Sequence, residues 1–169
     1  MITINESGMT FGPFEESCVF KIESSQLYQN VQKNEVKTVE FVLKESGQLR
    51  FVEAKSSSPN PNQGKGEKFE TFIDEIYRKF LHSINLFYSG ILGQHESNND
   101  IPDNMKIAET VSIKFILVIK GHEVDWLPPI AEALNQKMKP ILSIWNSQVA
   151  VFNDKMTKRY GLTDRDLDS

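Results

Sequence analysis

Apolar residues recur along this chain with two different periods, and the switch between them marks out most of its elements. From Lys37 to Ser58 the spacing is that of strands. KTVEFVLKE and QLRFVEAKSSS mix β-branched and aromatic residues with polar ones on either side of Ser46-Gly47, a tight-hairpin signal. From Glu67 to Leu92 the spacing is that of a helix. Phe69, Phe72, Ile73, Ile76, Phe80, Ile84 and Phe87 recur three or four residues apart, which predicts a long amphipathic helix whose stripe is core. Its acids, Glu70, Asp74 and Glu75, fall mostly on other faces and are expected to pair with Arg78 and Lys79 on a solvated surface.

Before the hairpin, Met1 to Pro13 reads as a short strand and a Gly/Pro loop, and Cys18 to Ile22 as a strand. Ser24 to Gln32 predicts one or two helical turns capped by Ser24 or Ser25. After the long helix comes a polar loop, Gly93 to Asn104. Val111 to Ile119 is almost continuously apolar, the pattern of a strand covered on both faces. Trp126 to Met138 predicts a helix that Pro140 breaks, and Ile141 to Trp145 suits either a further turn or a strand. Gln148 to Asn153 reads as a strand, followed by a helix capped by Asp154 and running through Tyr160. This order predicts an α/β domain: a mixed β-sheet with a central antiparallel hairpin, flanked by helices, with a later strand added in parallel.

Composition narrows the picture. A chain of 169 residues with 39% apolar and 25% charged positions fits one domain with a real core, residues 1–169. A formal net charge of −4 argues against a general polyanion binder, yet leaves room for a local basic patch. Cys18 is the single cysteine, so no intrachain disulfide can form, and a reducing cytoplasm is the expected location. MITINESGMT lacks a basic segment and an apolar core, so no secretory signal is expected, and no run approaches the roughly 20 apolar residues of a membrane span.

The chemistry lies in the hairpin. With Ser46 and Gly47 as the two loop residues, Glu45 faces Gln48, Val42 faces Phe51 and Glu40 faces Glu53. Directly opposed carboxylates repel unless something positive lies between them. Lys55, two residues beyond Glu53, projects from the same face, beside Thr38. A divalent metal ion would explain the grouping. The three histidines, His82, His95 and His122, are isolated, and no P-loop or nucleophile elbow is present.

Glu53-Ala54-Lys55 at the end of an apolar strand, with an acid on the preceding strand, resembles the PD-(D/E)xK nuclease superfamily, whose fold is restriction-endonuclease-like. The resemblance spans Glu23 to about Gly121 (a core of roughly 17–121, with residues 122–162 as a C-terminal extension). It implies Glu40 and Glu53 as ligands of Mg²⁺ or Mn²⁺, the Ala54 carbonyl as a further ligand, and Lys55 as the group that orients the attacking water. Glu40 stands where the family usually has Asp, and no Pro precedes it. The family often carries another acid on its first helix, and Glu23 is the best placed here, with Glu15 and Glu16 behind it. The loop SSSPNPNQGKG leaves directly from this place. Ser56 and Ser57 could donate to a phosphate oxygen, and Lys65 and Lys68 bring positive charge nearby. The function expected is metal-dependent hydrolysis of phosphodiesters in nucleic acid, DNA more than RNA, by a homodimer or a subunit of a larger complex. The alternative is a nuclease-fold subunit without activity that binds nucleic acid or serves assembly.

Overall fold

One sheet separates two apolar layers. The computed structural model describes residues 1–63, 66–95, 99–106 and 110–163. Strands β1 (Ile2–Glu6) and β2 (Met9–Phe14) form a separate two-stranded ribbon. The remaining strands are β3 (Val19–Phe20), β4 (Phe41–Glu45), β5 (Gln48–Lys55), β6 (Ser112–Ile119) and β7 (Gln148–Asn153), neighbours in that order in a five-stranded sheet. Helices α1 (Gln26–Gln29), α2 (Glu67–Ile91), α3 (Asp103–Lys106), α4 (Leu127–Ile144) and α5 (Asp154–Thr157) complete it.

The sheet is mixed, and its connections explain why. A two-residue turn can join only antiparallel strands, so β4 and β5 run oppositely; α2 and α4 are long crossovers, so β5, β6 and β7 run parallel. Ser46 (φ 50°) and Gly47 (φ 69°) are both left-handed, which matches the turn to the right-handed strand twist. The same turn recurs at Ser7 (φ 51°) and Gly8 (φ 73°). It converts the expected strand and loop at residues 1–13 into a full hairpin. Pro13 is tolerated inside β2 because a two-stranded ribbon always leaves one row of N–H groups unpaired.

Alternation then sorts the core. Leu49 and Phe51 of β5, Phe115 and Leu117 of β6 and Val151 of β7 face α2 and α4, where Phe72, Ile76, Phe80, Phe87, Ile130 and Leu134 meet them. Val52, Ala54, Val118 and Phe152 face the other way, against Ile4, Phe11 and Phe14 of the ribbon. A fully buried side chain such as Phe80 contributes about 1.5–3 kcal/mol by leaving water.

Four local expectations need correction. Helix α4 runs straight through Pro140 to Ile144, because its stripe of Leu127, Ile130, Leu134, Met138 and Ile141 continues past the proline, whose own ring is exposed. Strand β3 covers only Val19 and Phe20 of the expected Cys18–Ile22. The strand expected from Lys37 begins at Phe41: the Lys37 N–H donates to His82 Nδ1 at 3.1 Å and the Val39 N–H to Ser83 Oγ at 2.9 Å, so α2 holds this segment off the ladder. The cap of α5 is Asn153, accepting from the Met156 N–H at 3.1 Å; Asp154 is the first helical residue and accepts from the Gly121 N–H at 2.8 Å. Ser25 does cap α1. No helix among the described residues is long and apolar enough to cross a membrane.

Candidate functional site

The hairpin register is the expected one. Glu45 pairs with Gln48 and Phe41 with Val52, and the Glu40 N–H donates to the Val52 carbonyl at 3.1 Å, which carries the ladder one step past β4. Glu40 and Glu53 therefore lie side by side on the face that α2 covers. Glu53 is fully buried, and the side chain of Glu40 is 9% exposed.

What separates these acids is Lys79 of α2. Its Nζ lies 2.8 Å from Glu53 Oε1 and 3.8 Å from Glu40 Oε1, and it donates to Glu53 Oε2 at 3.1 Å. Lys55 stands on the other side of Glu53, 3.4 Å from Oε1, and donates to Glu75 at 2.7 Å. Glu23, in the turn Ile22–Ser24 just before α1, shares a hydrogen bond with Glu40. The corner thus gathers Glu23, Glu40, Glu53 and Lys55 as expected, and adds Lys79 and Glu75 of α2. Those two depart from the solvated-face reading of the helix, which Glu70, Asp74 and Arg78 keep. A signal was present: Lys79 follows Phe72 by seven residues, hence on nearly the same side of the helix, and Glu75 precedes Lys79 by four.

Electrostatics follow from this crowding. Burial first, then the hydrogen bond that protonated Glu40 donates to Glu23 and the charges of Glu53 and Glu23, push the Glu40 carboxyl up to about 9 against the opposing pull of Lys79, so it keeps its proton at neutral pH. Burial also raises Glu53, with Lys79 and then Lys55 pulling it back. Burial lowers Lys79, but the carboxylates of Glu53, Glu40 and Glu23 outweigh that and hold it above its ordinary value. The bond from Lys55 holds Glu75 low. Despite two ammonium groups within 3.4 Å, Glu53 Oε1 accepts no well-directed hydrogen bond.

The other expected residues divide. The Ala54 carbonyl accepts from Ser7 Oγ of the ribbon turn at 3.0 Å. Ser56, Ser57 and Lys68 are exposed, and Lys65 lies outside the described residues. Ser58, the next residue of that loop, hydrogen bonds His122 Nε2 at 2.5 Å, tying the loop to the carboxyl end of β6.

Could these residues take a hard cation? The donors are all carboxylate oxygens, one of them buried and unsatisfied, which is the set Mg²⁺ or Mn²⁺ prefers. Among the described residues, no three acids, histidines or cysteines already converge as a ligand set. Lys79 occupies the space between the two acids, so a bound ion needs Lys79 to draw back. No protein-family model matches the chain, and neither a curated protein nor a solved structure does.

Proposed function

We propose that the chain is a metal-dependent phosphodiesterase with a restriction-endonuclease-like core, acting on nucleic acid, DNA in preference to RNA. The observation that carries this reading is the buried Glu53 carboxylate, set beside a protonated Glu40 with one oxygen unsatisfied. A structural acid in so apolar a place is costly, and the neighbouring acids with the trailing lysine agree with the order of the motif, while Glu23 stands in the turn just before the first helix.

Mg²⁺ or Mn²⁺ on Glu40 and Glu53 would supply positive charge at the phosphorus and acidify a water. Glu40 would have to release its proton to solvent to hold such a cation, and Glu23 lies beside it as a further carboxyl ligand. Lys55, anchored by Glu75, holds an ammonium beside Glu53 where it can orient the attacking water and stabilise charge that develops on the phosphate. The phosphorus–oxygen bond to the leaving group breaks as the water oxygen bonds to phosphorus; the water's proton passes to solvent and the leaving oxygen takes one up from it. Ser56 and Ser57 offer hydroxyl donors at the start of the adjoining loop.

A second reading has its own observation. Lys79 already neutralises the paired acids, as it would in a nuclease-fold subunit that binds nucleic acid or serves assembly without cleaving. Mn²⁺ binding and plasmid cleavage by the wild type, Glu53→Ala and Lys55→Ala separate the two. The enzyme requires Mn²⁺-dependent cleavage that both substitutions abolish. Absent Mn²⁺ binding, with cleavage at background in all three proteins, leaves the second reading standing.

A further inference from the structure

The other end of β5 carries another like-charged neighbour pair, on the face turned towards the ribbon. Arg50 is in register with Lys114 of β6, and Lys114 with Gln148 of β7. Three adjacent strands therefore present a guanidinium, an ammonium and a carboxamide in one row, at the ordinary strand spacing of about 4.8 Å. These side chains line a groove of about 550 Å³, with Ile116 and Ala150 from the next row and Arg159 and Tyr160 from the turn after α5. That is the size of a small-molecule site. The Tyr160 ring stacks on Phe152 with centroids 4.1 Å apart and planes 14° from parallel, and Tyr160 remains 45% exposed.

Arg50 is fixed in place. Its Nε donates to Gln48 Oε1 at 3.0 Å and its Nη1 to the Tyr160 carbonyl at 3.2 Å, while Glu45 approaches Nη1 only to 4.0 Å. Neither Lys114 nor Arg159 has an ion-pair partner among the described residues. In a chain of net charge −4, three cations and one acid, Glu45, therefore line one groove, and two of the cations have no ion-pair partner among the described residues.

We propose that this groove binds a nucleoside 5′-phosphate. Its phosphate lies across Arg50, Lys114 and Arg159, its ring lies against Tyr160, and Gln148 reaches the polar edge of the base. Arg50, held by Gln48 and the Tyr160 carbonyl, supplies a positive charge at a fixed place, and like-charged side chains held in register are relieved by an anion placed between them. Tyr160, already backed by Phe152, offers a flat apolar surface to a planar ring. The inference does not depend on hydrolysis at the Glu53 corner.

Calorimetric titration at low salt tests it, with ADP and CDP as probes and inorganic pyrophosphate as the ring-free control. ADP or CDP is expected to bind with a Kd below about 1 mM. Lys114→Glu and Arg159→Ala each weaken that binding by about tenfold or more. Tyr160→Ala weakens ADP by about tenfold and leaves pyrophosphate unchanged, because only the ring contact is lost. Lys114→Glu also serves as its own folding control, since it removes a like-charge contact and its melting temperature should not fall. Pyrophosphate binding as tightly as ADP, nucleotide binding unaffected by Lys114→Glu, or binding of a single-stranded decamer with none of ADP or CDP would each overturn the proposal.

Discussion

Strand β5 has two like-charged cross-strand neighbours, Glu53 beside Glu40 at its carboxyl end and Arg50 beside Lys114 at its start, on opposite faces of one sheet. Their surroundings differ. The acidic pair lies under α2, closed from water, and Lys79 stands between its members while Glu40 keeps a proton. The basic pair lines a groove, Arg50 mostly buried with Glu45 4.0 Å away, and Lys114 is left without an ion-pair partner among the described residues. A buried like-charge pair has to be compensated within the chain, because the cost of an isolated charge in a dry interior far exceeds what folding can spare. A pair that borders a groove can leave part of its compensation to solvent ions or a ligand, at a cost of about 1 kcal/mol or less.

The sharpest way to break this contrast is to remove the internal cation. Lys79→Met leaves Glu53 buried without its main partner and is expected to cost about 3–5 kcal/mol in chemical denaturation. Adding Glu53→Gln to it should restore much of that loss. A cost for Lys79→Met near that of a surface ion pair would mean that water reaches the corner.

Proton linkage gives the next largest effect. The folded Glu40 holds its proton up to about 9, against 4.5 ordinarily, so between those values the folded state binds the extra proton. Stability contributed by this group is complete at low pH and declines as pH rises through that interval. The thermal midpoint of the metal-free protein should therefore fall from mildly acidic to alkaline pH, with a shallower fall in Glu40→Gln. A smaller change of opposite sign is expected at the basic pair: Lys114→Glu should stabilise by about 0.2–1 kcal/mol, read from the denaturation midpoint. Smallest is Glu75→Gln, which removes a half-exposed ion pair with Lys55 and should cost only a few tenths of a kcal/mol.

Period and turn chemistry made much of this legible from the chain itself. The Ser46-Gly47 turn determines the register, and the register alone places Glu40 beside Glu53. The extents of β5, α2, β6 and β7 follow from alternation or from an apolar stripe bounded by polar loops. What escaped was tertiary. Lys79 and Glu75 satisfy helical pairing rules with neighbours on their own helix, and only the packing of α2 on β5 decides that they turn towards the sheet. Pro140 shows the same override, since core burial on either side outweighs one absent hydrogen bond. The ribbon was hidden because Pro13 suggests a break until β2 is known to have a free edge.

That ribbon has a consequence for assembly. Ile4, Phe11 and Phe14 are buried by Val118, Phe152 and Leu162, and the Gly12 N–H reaches the Leu162 carbonyl at 2.8 Å. Contacts so remote in sequence close slowly, because a long loop must be ordered before they repay it. During translation the ribbon would be made well before Leu162, and would wait, greasy side outward, until that residue arrives to shelter it.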